Sequence, residues 1–425
     1  MGLSAMRAEE RAEREDFSMT TVTRRRALRY FGMSVALGAV IAALPSAAQD
    51  RTSVKIGYAI SKTGPNSGGA GITTLPNYVL WVKEVNDAGG LEVPDGKKLP
   101  IEVIEYDDRS SAEEVVRSIE RLATQDKVDF ILPPWGTGFN LAVAPLFDRF
   151  GYPQLAVSAV TDKAPEFVKR WKKSYWMLGG GDDYTSALAG LLTKAAGDGT
   201  INKKIAMISV ADGFGIDLVT AARPSFKDAG FEVVYDVTYP AGTTDFTPMI
   251  NEAAAGGADT FVAFSYPPET FAITQQAQVA KFNPKILYLG VGTGFPVYGE
   301  KNGANAEGIM SLGGIDPKND ANAAYRKRHQ DVTGQAPDLW GSVITYNSLQ
   351  MLQEAIKRRG LDRDAVADEL SNGTFQTVLG EVKLEDNQLR KLWFGGQWQN
   401  GQFVAVAPVD REGAAPAILP KPAWK

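Results

Sequence analysis

A short run of small residues, Gly136-Thr137-Gly138, has the residue types best suited to binding chemistry. It follows an apolar stretch over 131–134 that is typical of the end of a buried strand, and a helix is predicted to start near Phe139. Backbone N–H groups at a helix N-terminus, with a threonine hydroxyl beside them, bind anions without any cationic side chain. Glycine and threonine also occur commonly in ordinary helix caps that bind no ligand. The run therefore predicts either an anion receptor or a simple cap.

A second turn of small residues follows the next predicted strand, over 153–156. Consecutive parallel strands end at one edge of a sheet, so this turn is expected to lie beside the first. Its hydroxyl groups could complete the receptor, or Thr161 and Asp162 could cap the following turn. The candidate residues are Ser158, Ala159, Val160 and Thr161.

Aromatic residues and glycines recur where later strands end. Phe214, Tyr266 and Gly292 each follow a predicted strand, and Trp135 and Tyr184 are further candidates for the same walls. Flat aromatic walls would each add about 0.5–1.5 kcal/mol to a ring contact beyond area burial. Any one of these aromatic side chains could instead serve only for packing. The shared position at strand ends favours a role in a binding cleft.

The sequence offers little for catalysis or for a cofactor. It contains no cysteine and one histidine, His329, which lies in a polar helical stretch and is predicted to face solvent. Hydrolytic triads and imidazole or thiolate metal sites are therefore excluded. A phosphate-binding loop is absent, and the glycines at 179–181 lack the spacing of a dinucleotide-binding motif. We predict a protein that is not an enzyme and binds no cofactor or metal.

Two acidic pairs, Asp107-Asp108 and Asp182-Asp183, follow a predicted strand and the glycine run respectively. Carboxylate oxygens in pairs can bind hard cations. Acidic residues are also favourable at helix N-termini, where they cap the first turn. The pattern favours caps.

Strands and helices alternate along the chain after residue 50. Apolar and β-branched runs predict strands over 54–60, 101–106, 128–132, 205–210, 233–237, 260–264 and 286–289. A Gly/Pro/Asn-rich loop is predicted over 63–71. Helical spacing of apolar residues predicts helices over 75–86, 112–125, 217–229, 246–255, 269–281, 321–333 and 346–360. This alternation is typical of βαβ units with parallel sheets, so the fold class is α/β.

The strands are too numerous for one sheet, which predicts two doubly wound parallel-sheet lobes joined by a hinge. The glycines at 179–181 are a natural crossover, and the last two predicted helices return to the first lobe. Lobe 1 is expected to comprise 49–178 and 311–391, and lobe 2 to comprise 179–310 and 392–425. Ligands of open α/β sheets bind outside the carboxyl ends of the strands. The two lobes would thus form a cleft that closes on a solute by hinge motion.

The first 48 residues have the pattern of a bacterial export signal. A twin-arginine cluster, Arg24-Arg25-Arg26, precedes an apolar run over 33–44 and a small-residue cleavage site ending at Ala48. The apolar run is too short to span about 30 Å of hydrocarbon. We expect twin-arginine export to the periplasm and cleavage near Ala48, with Met19 as an alternative start.

Composition is consistent with an exported globular protein. The absence of cysteine suits an oxidising compartment. A formal net charge of −5, with no basic stripe, argues against a nucleic-acid partner. Hydrophobic residues at 44% allow a large buried core.

A series of short stretches matches a known family in order and spacing. They lie at 55–57, 63–65, 84–91, 106–108, 141–145, 151–153, 244–246 and 346–355. Together, over residues 54–401, the sequence resembles the leucine/isoleucine/valine-binding family of type I periplasmic binding proteins. The resemblance implies a two-lobed cleft, delivery of a small solute to the permease of an ABC importer, and no catalysis. A monomer is expected, and a protein that presents solute to a sensory receptor is the alternative from another class.

The resemblance also implies roles for particular residues. Thr137 matches the hydroxyl that holds the ligand carboxylate, Tyr266 matches a cleft tyrosine, and Phe214 falls where an aromatic precedes glycine. The small residues that match the opposite side are Ser158, Ala159 and Val160, with Thr161 as an alternative.

One departure from the family bears on the ligand. The acidic residue that neutralises an amino-acid ammonium falls on Gly292 or a neighbour, and none of these is acidic. An ammonium buried without a partner costs several kcal/mol, whereas micromolar binding amounts to about 8 kcal/mol. We therefore expect an organic carboxylate, with aromatic acids included, or a neutral amide. Asp182, Asp183 or Asp212 could replace the missing acid, in which case a branched-chain or other amino acid is the alternative ligand.

Overall fold

The computed structural model describes residues 51–316 and 319–425, in which strands and helices alternate along the chain. The strands are β1 (Val54–Ile60), β2 (Leu91–Glu92), β3 (Lys98–Leu99), β4 (Ile101–Asp107), β5 (Phe130–Leu132), β6 (Gln154–Ala156), β7 (Ser174–Trp176), β8 (Lys204–Val210), β9 (Glu232–Tyr239), β10 (Thr260–Phe264), β11 (Ile286–Leu289), β12 (Met310–Ser311), β13 (Phe375–Thr377), β14 (Gly380–Val382), β15 (Gly395–Gln399) and β16 (Gln402–Ala407). The helices are α1 (Ser67–Thr73), α2 (Leu75–Asp87), α3 (Ala112–Arg121), α4 (Thr137–Phe150), α5 (Ala164–Arg170), α6 (Gly181–Gly197), α7 (Gly213–Asp228), α8 (Thr247–Ala255), α9 (Pro267–Val279), α10 (Pro296–Asn302), α11 (Asp320–Thr333), α12 (Gly341–Arg359) and α13 (Arg363–Asn372). The export signal predicted at 1–48 lies outside the described residues.

The first sheet is parallel, with strand order β4-β1-β5. Its central strand β1 is buried apart from Lys55, because helices cover both of its faces. Ile56 packs in the same core cluster as Tyr78 and Trp81 of α2, and Ala59 packs with Val115 of α3. A parallel pair, β6–β7, continues this half of the molecule.

The second sheet has seven strands in the order β16-β15-β12-β11-β10-β8-β9. Strands β8 to β12 are parallel, and all five residues of β10 are buried. The strands β15 and β16 form an antiparallel hairpin at one edge. Sequence reasoning missed this hairpin because Gly395, Gly396 and the polar glutamines of β15 have low β-propensity.

Some local predictions were wrong for reasons of tertiary packing. The predicted loop over 63–71 includes most of α1, a glycine-rich helix in which a side chain at Gly69 would collide with the ring of Trp135. Helix α12 starts at Gly341 rather than residue 346, because the carboxylate of Asp338 accepts hydrogen bonds from its first backbone N–H groups. Helix α4 starts at Thr137, two residues before the predicted position.

The prediction that His329 faces solvent was wrong. Its ring is buried, lies edge-on to Tyr325 with centroids 5.8 Å apart, and places Nδ1 2.9 Å from the carbonyl oxygen of Gln335. Residues four apart share one face of a helix, so Tyr325 and His329 turn inward while Lys327 remains exposed. Burial lowers the pKa of His329, which favours the neutral ring.

The acidic pairs behave differently from each other. Asp183 accepts a hydrogen bond of 3.1 Å from the N–H of Gly180 and so caps α6, as predicted. Asp108 instead accepts hydrogen bonds from the hydroxyl of Ser61 (2.5 Å) and the N–H of Ser110 (2.8 Å). The prediction of a cap was wrong for Asp107-Asp108, because Asp108 instead links the loop after β1 to the turn before α3.

No helix in the described part of the chain is long and apolar enough to cross a bilayer.

Candidate ligand-binding site

The N-termini of four helices converge on one cavity. The N-cap residues are Gly136 of α4, Asp212 of α7, Tyr266 of α9 and Trp340 of α12. Helices α4, α7 and α9 each follow a parallel strand, so their N-termini lie at the carboxyl edges of the sheets. The cavity is lined by Thr73, Trp135, Thr137, Val157, Ser158, Val160, Leu178, Phe214, Tyr266, Val291, Trp340, Gly341 and Thr345, none of them charged.

The turn before α4 leaves its first amides available to a ligand. Gly136 has φ +94°, a conformation that glycine adopts without strain, and its N–H donates to Ser158 Oγ at 3.0 Å. Thr137 Oγ1 accepts a hydrogen bond of 3.1 Å from the N–H of Val160, so its own hydroxyl hydrogen can be donated to a ligand. Within the described residues, the N–H groups of Thr137 and Gly138 have no acceptor. This helix N-terminus can receive an anion.

The other three N-termini are already satisfied. Asp212 Oδ1 accepts hydrogen bonds of 3.1 Å from the N–H groups of Phe214 and Gly215. Asp338 Oδ2 accepts hydrogen bonds of 2.8 Å from two N–H groups at the start of α12. Helix α9 begins with Pro267 and Pro268, which have no N–H. Of the four, α4 alone keeps amides for a ligand.

Aromatic rings from both halves of the molecule meet in the cavity. The ring of Tyr266, which follows β10, lies 5.2 Å from that of Trp135, which follows β5. On its other side Tyr266 stacks on Phe214, with centroids 5.2 Å apart and planes 19° apart. The Trp135 Nε1–H donates to Thr73 Oγ1 at 2.9 Å, which fixes the indole.

The rings leave a cavity of about 20 Å³. That volume admits a water-sized group. A solute as large as leucine or benzoate enters only when the two aromatic walls move apart, as hinge motion allows.

Asp212 contacts the cavity wall through Tyr266, and both of its oxygens accept hydrogen bonds. Oδ2 accepts a hydrogen bond of 2.6 Å from the hydroxyl of Tyr266, while Oδ1 caps α7. Burial raises the pKa of Asp212, against the opposing effect of the Tyr266 hydrogen bond. Burial and the nearby charge of Asp212 raise the pKa of Tyr266, so the phenol keeps its proton at neutral pH. Both oxygens of Asp212 are therefore engaged within the protein, by Tyr266 and by the first turn of α7.

The structure brings together some of the residues singled out from the sequence. Those that line the cavity are Trp135, Thr137, Ser158, Val160, Phe214 and Tyr266. Those that do not line it are Gly136, Ala159, Thr161, Tyr184 and Gly292. Ser158 lines the cavity, but its hydroxyl serves the turn, because it accepts from Gly136 and donates to the carbonyl oxygen of Pro134 at 3.2 Å.

The outer group supports the cavity walls. The hydroxyl of Tyr184 donates to the carbonyl oxygen of Leu178 at 2.7 Å and accepts a hydrogen bond of 3.0 Å from Trp340 Nε1. The N–H of Thr161 donates to the carbonyl oxygen of Gly179 at 3.1 Å. Ala159 packs in a small apolar cluster with Trp176.

Gly292 explains why an acid is absent from this strand end. Its φ is +106°, and an added Cβ would lie 3.0 Å from Cα of Pro267. An acidic side chain there would be strained and would point into α9, while its neighbour Val291 lines the cavity. Asp182 and Asp183 lie at the start of α6 and do not line the cavity either.

Sequence reasoning missed the wall formed by Thr73, Trp340, Gly341 and Thr345. The missed signal is Asp338 three residues before Gly341, a spacing typical of an N-cap. It was overlooked because the helix was predicted to start later.

The sequence model of the family described as "Periplasmic binding protein" matches residues 53–402. The chain belongs to the periplasmic binding protein family. It is 23% identical over 392 residues to Leu/Ile/Val-binding protein homolog 7 of Brucella suis, covering 87% of this chain and 95% of that protein.

Two solved structures show the same fold. A branched-chain amino acid transporter substrate-binding protein from Streptococcus pneumoniae, in complex with isoleucine, has a TM-score of 0.72 and 21% identity, covering 84% of this chain and 100% of that one. A solute-binding protein of an ABC transporter from R. palustris, in complex with benzoate, has a TM-score of 0.73 and 19% identity, covering 87% and 97%. As a member of this family, the chain is a binding protein and not an enzyme.

Proposed function

We propose that this periplasmic binding protein captures a small organic carboxylate without an α-ammonium group and delivers it to an ABC importer. The observation that carries the proposal is the contrast within the cleft: amides are free at Thr137 and Gly138, and no lining residue is acidic. The ligand carboxylate would accept hydrogen bonds from these amides and from the Thr137 hydroxyl.

The lack of a free carboxylate disfavours amino acids. Of Asp182, Asp183 and Asp212, only Asp212 contacts a cavity side chain, and its oxygens are used by Tyr266 and by α7. An ammonium enclosed here would lose its hydration without gaining a charged partner, at a cost of several kcal/mol.

The walls favour a planar ligand. Trp135, Phe214 and Tyr266 present aromatic faces, and a ring inserted between them would replace the Trp135–Tyr266 contact. The benzoate complex of the R. palustris protein supports an aromatic acid as a ligand that this fold accepts. We therefore favour benzoate-like acids within the carboxylate class.

We further propose that the two lobes predicted from the sequence close around this ligand, and that the protein acts as a monomer with an inner-membrane permease. Export by the twin-arginine pathway and cleavage near Ala48 belong to the same proposal. Mass spectrometry of the protein isolated from the periplasm tests the cleavage site.

Titration calorimetry of the mature protein, refolded from denaturant to remove bound solute, tests the ligand class. We expect benzoate, 4-hydroxybenzoate or a related acid to bind with Kd of about 1 μM, and leucine to bind at least about 100-fold more weakly. Benzamide is the neutral control for the charge. Tight binding of leucine, with no binding of the acids, would overturn the proposal.

The second candidate function is binding of branched-chain amino acids, which the name of the Brucella suis relative and the isoleucine complex of the S. pneumoniae protein favour. In that case leucine or isoleucine would bind and Asp212→Asn would weaken them strongly. Under the carboxylate proposal the same variant leaves amino-acid binding negligible.

A further inference from the structure

A second and larger cavity lies between α10, α11 and the β15–β16 hairpin. Its volume is about 610 Å³, within the range of small-molecule sites, about 300–1,000 Å³. Its floor is apolar and aromatic: Trp398 and Phe403 are buried, with ring centroids 5.8 Å apart. Ile315 and Leu339 add apolar walls. The cleft described above shares none of these residues.

One cation, Arg326 of α11, lines this cavity without a partner. Its Nε is buried and has no hydrogen-bond partner, and across the described residues no carboxylate lies within ion-pair distance of it. Neighbouring cations on the same helix are paired: Lys327 with Asp331 at 2.6 Å and Arg328 with Glu84 at 2.8 Å. A buried guanidinium N–H without an acceptor is unfavourable, so an anion beside Arg326 would be stabilised.

We infer that this cavity is a second binding site, for a monocarboxylate with an apolar body. The carboxylate would pair with Arg326, and the apolar body would lie on Trp398 and Phe403. The exposed Glu300 and the half-buried Glu307 also line the cavity and disfavour a second negative charge on the ligand. Glu307 is already engaged by the N–H of Asn400 at 2.9 Å.

The site joins elements of both halves of the molecule. Helix α11 packs on α2 beside the first sheet, where the Tyr325 hydroxyl donates to Asn77 Oδ1 at 2.6 Å. The hairpin belongs to the second sheet. Beside the cavity the N–H of Leu339 donates to the carbonyl oxygen of Gly294 at 3.0 Å, which links the two halves. A ligand that contacts both walls therefore favours the closed arrangement and should tighten binding in the cleft.

Calorimetry with octanoate tests the second site on the mature protein, with 1-octanol as the neutral probe of similar length. We expect octanoate to bind to the Thr137→Leu variant, whose cleft is blocked, and Arg326→Gln to weaken this binding about 10- to 100-fold. Lys327→Gln is the matched control: it removes one positive charge from the same helix at an exposed position, and should leave octanoate binding unchanged. Octanol should bind at least about tenfold more weakly than octanoate.

The following results would contradict the second binding site or the role of Arg326. Equal octanoate binding by Thr137→Leu and by the double variant Thr137→Leu/Arg326→Gln, or loss of all octanoate binding in Thr137→Leu, would overturn the second site. Equal binding of octanol and octanoate would overturn the role of Arg326. Ala304→Trp, which fills the cavity from an exposed position, should abolish octanoate binding even if Arg326→Gln fails to fold. Failure of the cleft proposal would appear separately, as absent binding of benzoate-like acids to the wild type.

Discussion

The N-termini of α4 and α7 face each other across the cleft and differ in one respect. A Cβ added at Gly213 of α7 would lie 3.4 Å from the backbone nitrogen of Gly138 in α4, so the two ends share one environment. Asp212 fills the N-terminus of α7, whereas no side chain caps α4. Capping, and not the presence of a helix end, therefore decides where this cleft can receive negative charge.

Blocking the open N-terminus should have the largest effect. In Thr137→Leu the bulky side chain removes the hydroxyl and covers the amides, so we expect carboxylate affinity to fall by at least about 100-fold. Thr137→Val, which preserves shape, should cost about tenfold, the value of one hydrogen bond to a charged group. Titration calorimetry measures both, and circular dichroism confirms folding. Unchanged affinity in folded Thr137→Leu would remove the distinction between the two helix ends.

Removing a cap at another N-terminus should act on stability. Asp338→Ala leaves the first amides of α12 without their buried acceptor, and we expect the free energy of unfolding to fall by about 2 kcal/mol. Asp338→Asn keeps an acceptor in place and should cost less. Denaturant unfolding provides the measurement. Equal stability of the alanine variant and the wild type would contradict the role of this cap.

Neutralising Asp212, the cap of α7, should raise the affinity for carboxylates slightly. Asparagine caps helices as well as aspartate, so Asp212→Asn keeps α7 intact while it removes a negative charge near the bound anion. We expect carboxylates to bind about threefold more tightly, since nearby like charges repel weakly at high effective dielectric. Weaker carboxylate binding, measured by the same calorimetry, would show that Asp212 acts in some other way.

The smallest effect is expected at the N-terminus of α6, where it concerns the dependence of stability on pH. The N–H of Asp182 donates to both oxygens of Asp162, at 2.9 and 3.1 Å. Burial, together with the charges of Asp182, Asp217 and Asp183, raises the pKa of Asp162 to about 6. The folded protein then binds a proton more tightly than the unfolded chain, so stability should decrease as pH rises from about 4 to about 6.

Solvent screens the partly exposed carboxyl of Asp162, so this slope should be shallow. Asp162→Asn should remove it, as thermal unfolding between pH 4 and pH 7 would show. A variant with the same pH dependence as the wild type would assign the slope to other groups.

The sequence alone predicted those features that depend on residues close together in the chain. The strands β1 and β10 were predicted from apolar runs, and Thr137 from a turn between a strand and a helix. The hairpin β15–β16, the burial of His329 and the Trp340 wall depend on partners distant in sequence, so local propensity gave no signal for them. Thr137, Tyr266 and Phe214 lie in one cavity as expected, whereas Gly292 does not line it, and a side chain at that position would be strained.

The contact between Trp135 and Tyr266 has a consequence for selectivity. It joins the two halves directly, so a guest that enters between the two rings must first replace an interaction that the protein makes with itself. Apparent affinity is reduced by the free energy of that exchange. A guest with an aromatic face restores the lost stacking and an aliphatic one restores less of it. The contact between the two aromatic walls therefore lowers the apparent affinity for aliphatic solutes more than for aromatic ones.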